Sequence, residues 1–278
     1  MGNCKYCGQS AGLFKSVHKE CQEKHAKSAN KIISFISEAY LRKTDLKSIE
    51  DNITQIAASC FMNDHDKTDL IIKGWTDLLE TALEDGVISE EEETRLLQIA
   101  NHFSLDQTNL DQDGSYTRFI KALVLRDLYN GILPNRMNVT GQVPFNLMKS
   151  ERIIWLFNPV DYIEQKIKRE YVGGSAGVSI RIARGVYYRI GAFKGHPIEK
   201  SHAVHVDTGI LGITNKHIYF YGHNKKFRIK YEKIVSFESY SDGIGLQKDA
   251  VTAKPQIFVT GDGWFTYNLI TNLSNQDF

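Results

Sequence analysis

Apolar residues recur at three- and four-residue steps through the middle of this chain and alternate with polar ones toward its end. Between Asn30 and Gly131 the period is helical. Ile71, Ile72, Trp75, Leu78, Leu79, Ala82 and Leu83 make one broad apolar stripe, and Phe119, Ile120, Leu123, Val124, Leu125 and Leu128 make a second. Ser89, followed by glutamates at 90–93 and then Leu96, Leu97, Ile99 and Ala100, reads as an N-capped helix with acidic residues at the positive end of its dipole. Helices are predicted at about 31–42, 46–62, 67–84, 89–102, 105–111 and 115–130, forming a bundle with short loops.

After Ile132-Leu133-Pro134 the period shortens to two. Strands are predicted at about 152–157, 162–170, 178–183, 186–191, 202–214, 216–221, 225–230, 233–240 and 256–260. Tight turns such as Ala183-Arg184-Gly185, Thr214-Asn215 and Gly222-His223-Asn224 join several of them. Many short strands linked as hairpins predict an antiparallel sandwich or barrel. Phe265, Leu269, Ile270 and Leu273 then form the apolar face of a closing helix.

The length of 278 residues allows one large domain or two to three small ones, and 42% hydrophobic with 24% charged residues is the composition of a folded chain. No run approaches the ~18 consecutive apolar residues of a spanning helix, and the N-terminus lacks a signal-peptide core, so a cytoplasmic location is the default expectation. The net charge of +1 hides three blocks. Residues 1–31 hold six lysines and two glutamates, residues 32–131 nine basic and nineteen acidic groups, and residues 132–278 nineteen basic and twelve acidic groups. Such blocks predict units with different surfaces.

The candidate chemistry lies at the start. Cys4, Cys7, His18 and Cys21 follow the pattern Cys-x2-Cys-x10-His-x2-Cys. Zinc takes four such donors in a tetrahedron, and two short pairs supply two each. Lys5 and Tyr6 form the tip of the first pair, which Gly8 lets close. The i, i+3 spacing of the second pair brings His18 and Cys21 to one face of a helix. His25 is an alternative to His18 as ligand. Four strong protein donors leave no open position, which predicts one structural zinc ion rather than a catalytic one. Leu13, Phe14 and Val17 are the expected miniature core of this segment. A turn-held pair followed by a helical pair resembles the treble-clef family of zinc fingers, which implies a structural role for the metal. The nearby Lys5, Lys15, Lys19, Lys24 and Lys27 raise nucleic-acid binding as an alternative. Cys60, in an apolar stretch, reads as a buried thiol.

The segment L83-E-D-G-V-I-S-E-E-E matches the second half of a calcium loop, but its first half would place a ligand on Leu83, so it fails as an EF-hand. A helix corner with Gly86 as C-cap is the plainer reading. This corner and its acidic surroundings resemble TerB-like domains, helical bundles of bacterial tellurite-resistance and stress-associated proteins. That resemblance makes Asp85 and Glu92 candidate metal ligands and suggests a stress or defence setting.

G209-I-L-G-I-T-N-K-H-I-Y-F-Y-G with K226-F-R-I-K-Y-E-K-I-V-S-F is similar to bacterial PH-like and GRAM-like domains, and S175-A-G-V-S-I-R-I-A-R-G-V-Y-Y-R-I-G looks like an insertion found in some of them. The resemblance implies a binding or scaffold module with protein or lipid partners. Arg181, Arg184, Arg189 and Lys194 form either a basic patch or the wet face of a hairpin. The run Y171-V-G-G-S-A-G lacks the Lys-Ser/Thr of a phosphate loop. His202, His205, His217 and His223 crowd one hairpin region, with His202 and His205 falling on opposite strand faces.

The fold class expected is multidomain α+β, with a zinc finger at 1–29, an acidic helical bundle at 30–133 and a PH-like sheet domain at 145–278. No acid, base and nucleophile are grouped as an enzyme requires. A non-catalytic regulatory or adaptor protein that recognises a protein partner is the expected function. A zinc-dependent nucleic-acid binder, or a PH-like protein at an anionic membrane surface, are the alternatives.

Overall fold

A computed structural model describes residues 2–12, 14–41, 45–84, 86–139, 141–183, 186–250 and 253–276. Contacts divide the chain into two compact units, Met1–Asn130 and Gly131–Phe278.

The first unit holds α1 (Lys19–Leu41), α2 (Leu46–Ser59), α3 (Asp64–Ala82), α4 (Glu90–His102), the short α5 (Gln107–Leu110) and α6 (Ser115–Tyr129). The helix expected at the His18/Cys21 pair and the one expected from about residue 31 are a single helix that begins at Lys19. The intervening residues are mostly good helix formers without Gly or Pro, so the helix propagates without a break. Ile32, Ile36 and Ala39 on its far half are fully buried. Asp45, Asn63, Ser89 and Asp106 each cap a helix by accepting the backbone N–H of the residue three further on. Asn63 explains why α3 starts three residues before the predicted 67. Gly86 has the expected left-handed angle, φ 79°, but the C-cap of α3 is Leu83, three residues earlier.

Trp75 centres this core. It is completely buried, its Nε1–H donates to the Leu96 carbonyl at 3.0 Å, and it meets Phe119 edge-on at 5.9 Å. Arg126, also buried, donates to the Ile88 carbonyl at 3.0 Å and pairs with Glu93, tying α6 to the α3–α4 corner. Beside Trp75, Gly74 lets α1 and α3 approach: a Cβ there would lie 2.8 Å from Ile36 Cβ. Gly74→Ala gains about 1 kcal/mol of helix propensity but overpacks this crossing at a cost of about 1–3 kcal/mol. The expected outcome is net destabilisation, read as a lower urea midpoint, and a raised midpoint would show that the crossing yields.

The second unit is an antiparallel seven-stranded sheet in the order β4-β3-β2-β1-β7-β6-β5, with α7 (Gly263–Ser274) against it. Its strands are β1 (Ile153–Ala183), β2 (Val186–Thr214), β3 (His217–Gly222), β4 (Lys226–Lys230), β5 (Ile234–Ser239), β6 (Gly243–Lys248) and β7 (Gln256–Val259). The order ends at β4 and β5, so these pairings make an open sheet and not a closed barrel. Five of the predicted short strands fuse into one long β1–β2 hairpin. Residues 171–177 are extended β1 backbone, as the rejection of a phosphate loop requires.

Strand β6 was not predicted, because two glycines interrupt its apolar alternation. A Cβ at Gly243 would lie 2.1 Å from the Phe258 carbonyl oxygen, so the glycine is needed for strand approach. Phe265, Leu269, Ile270 and Leu273 of α7 are buried as expected, and Phe265 meets Trp155 of β1 edge-on at 4.9 Å.

Candidate metal centre

The first cysteine pair sits in a turn that its own backbone closes. Gly8, at φ 72°, donates its N–H to the Cys4 carbonyl at 2.8 Å, and Cys4 donates to Gln9 at 2.7 Å. The turn is joined to the segment ahead of α1 by the Lys5 N–H, which donates to the Ser16 carbonyl at 3.0 Å. His18 immediately precedes α1 and Cys21 lies in its first turn.

One donor atom from each of Cys4, Cys7, His18 and Cys21 lies within 4.8 Å of the others. His18 Nδ1 is 3.4 Å from Cys7 Sγ and 3.7 Å from Cys21 Sγ. Zinc bonds of about 2.3 Å to sulfur and about 2.0 Å to nitrogen set neighbouring tetrahedral donors about 3.5 Å apart, so the cluster fits the ion. His18 Nε2 lies 3.0 Å from the Ser10 carbonyl oxygen. A carbonyl only accepts, so Nε2 carries the proton and Nδ1 keeps its lone pair for the metal. The four residues form a single structural zinc site.

The donors ionise unequally without the ion. Burial opposes ionisation of Cys4, but backbone N–H groups of His18, Tyr6 and Cys7 outweigh it and bring the thiol down to about 6. Burial together with the neighbouring Cys7 and Cys4 pushes Cys21 up to about 11. Zinc binding must therefore displace a proton from Cys21.

The other expected ligands are elsewhere. The His25 ring lies against the Tyr6 ring, tilted by 32° at 4.4 Å between centroids, and is not part of the cluster. Asp85 lies outside the described residues. The Glu92 carboxylate accepts the Ser89 N–H at 2.8 Å and closes the capping box of α4. The expected miniature core is also corrected. Phe14 is 101% exposed at φ 63°, Val17 is half-buried, and Leu13 is outside the described residues. Cys60 is a buried thiol, as expected, 3.4 Å from the Ala57 carbonyl. The side chains of Arg181, Arg184, Arg189, Lys194 and His202 lie outside the described ones. His205 hydrogen-bonds Asp161 and Thr208, and among the described residues the N-terminal cluster is the one His/Cys/Asp/Glu group suited to a metal.

A second polar site escaped the sequence reading. The Glu151 carboxylate is buried and accepts from Thr214 Oγ1 at 2.6 Å, the Tyr219 hydroxyl at 2.8 Å, the Met148 N–H at 2.8 Å and His217 Nδ1 at 2.9 Å. Burial raises its pKa, but these donors outweigh that effect and hold it below the ordinary glutamate range. Thr214 belongs to the T-N-K turn, whereas Glu151 lies 63 residues away with no local signal.

No protein-family model matches the chain, and no curated protein matches it. The chain is a multidomain protein with an N-terminal Cys/His cluster, a helical region and a C-terminal sheet-and-helix domain. Among the described residues no helix is long and apolar enough to cross a membrane.

Proposed function

We propose that this chain is a non-catalytic adaptor that recognises a protein partner, with the zinc-held segment as its contact element. The observation that carries this reading is Phe14. Its ring is fully exposed at a left-handed backbone angle, on a loop fastened at both ends by metal donors. A large aromatic presented at low conformational-entropy cost is a typical interface anchor. Lys15 beside it, and Lys5 joined to the loop through Ser16, favour an acidic partner surface.

The closed donor set supports a structural metal. The acidic bundle supports the TerB-like resemblance and its stress or defence setting. The antiparallel sheet with α7 packed against it supports the PH-like resemblance of the second unit.

The test compares full-length chains bearing a photo-crosslinker at position 14 or at position 61, where exposed Phe61 serves as control. We expect a discrete protein adduct at position 14 only, and recovery of that partner to fall at least about tenfold for otherwise unmodified Phe14→Ala. Equal crosslinking at both positions, or salt-sensitive capture of nucleic acid in place of protein, would overturn the reading.

A further inference from the structure

The second unit contains a cavity of about 490 Å³ that the adaptor reading does not use. Its wall includes Asn215, Lys216 and His217 from the turn before β3 and its first residue, Lys230 at the end of β4, and Tyr231 and Glu232 after it. Two of these polar side chains are almost completely enclosed: Asn215 is 7% exposed and His217 is 2% exposed.

The wall is rich in donors. The Asn215 Oδ1 is used by the Arg152 N–H at 2.9 Å, which orients the side chain and leaves its amide N–H groups for a ligand. Among the described residues the one hydrogen-bond partner of the Lys216 ammonium is Ser150 Oγ at 3.1 Å, which is neutral. Lys230 reaches Glu232 at 3.3 Å, in an exposed and therefore weak pair.

His217 closes the wall behind these donors. Glu151 is held ionised and can only accept, so His217 Nδ1 must carry a proton toward it. The other ring nitrogen, Nε2, is buried without a hydrogen-bond partner.

We propose that this cavity binds a phosphate group, with Lys216, Lys230 and the Asn215 amide as its donors and His217 as the buried residue behind them. Glu232 opposes the ligand's charge and thereby tempers affinity. Free phosphate and a phospholipid headgroup share this chemistry.

The experiment titrates the full-length protein with inorganic phosphate by calorimetry, and separately measures its sedimentation with phosphatidylcholine vesicles with and without phosphatidic acid. Saturable one-to-one phosphate binding is expected, weakened about tenfold by Lys216→Ala/Lys230→Ala. Glu232→Gln should tighten it about threefold, and Lys225→Ala, outside the cavity wall, should leave it unchanged. The Asn215 side-chain amide resonances should shift on phosphate addition, a readout that does not depend on a variant that folds. Sedimentation with phosphatidic acid vesicles that needs Lys216 and Lys230 would place the phosphate on a lipid, and binding of inorganic phosphate alone would make it a soluble ligand. No saturable binding in either arm, or equal loss with Lys225→Ala, would overturn the proposal.

Discussion

Untagged protein should carry about one zinc ion per chain, and the Cys4→Ser/Cys7→Ser chain should carry none. Among the described residues ahead of α1 only Cys4 and Ala11 are buried, and Phe14 faces solvent, so the metal does the work of a core for this segment. Structural zinc contributes on the order of 10 kcal/mol to such small elements. Residues 2–18 should therefore lose nearly all amide protection in the double variant. The loss should stop within α1, because Ile32, Ile36 and Ala39 are held by the bundle core. Elemental analysis paired with hydrogen exchange reads both effects. Zinc-free intact protein, or zinc retained by the double variant, would refute the assignment. Acid should release the ion, since zinc needs all three sulfurs as thiolates and falling pH returns protons to them.

Glu151→Ala should be the most damaging single substitution in the second unit, costing about 3–5 kcal/mol. It removes the acceptor shared by Thr214, Tyr219, His217 and the Met148 N–H, leaving several buried donors unpaired at once. Glu151→Gln preserves shape but presents an N–H₂ group to donors, and should recover only part of the loss. Because the folded pKa of Glu151 is depressed, its contribution is complete above the unfolded value and disappears as pH falls through the folded value. Urea titrations of wild type and Glu151→Ala should therefore converge in acid and diverge toward neutral pH. A gap that stays constant with pH would show that packing, not the charge, is what the substitution removes.

Where one physical signal acts over a few residues, the sequence was easy to read. Helix existence followed from the 3.6-residue period, and the Ser89 cap is a local hydrogen bond between residues three apart. The join at residue 30 was harder, because helix formers without side-chain periodicity continue one element into the next. Strand β6 was hidden because Gly243 answers to the carbonyl of Phe258 across the sheet, a neighbour that no window of sequence contains.

The N-terminal donor set was determined by the sequence alone: short Cys-x2-Cys and His-x2-Cys spacings bring ligands together through local geometry, whatever the rest of the chain does. The two hydrophobic periods likewise determined a helical region followed by an antiparallel one. Tertiary structure decided the rest. It turned Phe14 from a presumed core residue outward, assigned Glu92 to a helix cap, and assembled Glu151 with Thr214, His217 and Tyr219. Those outcomes depend on which groups become neighbours after burial, when desolvation makes a hydrogen-bond partner mandatory and chain separation no longer matters.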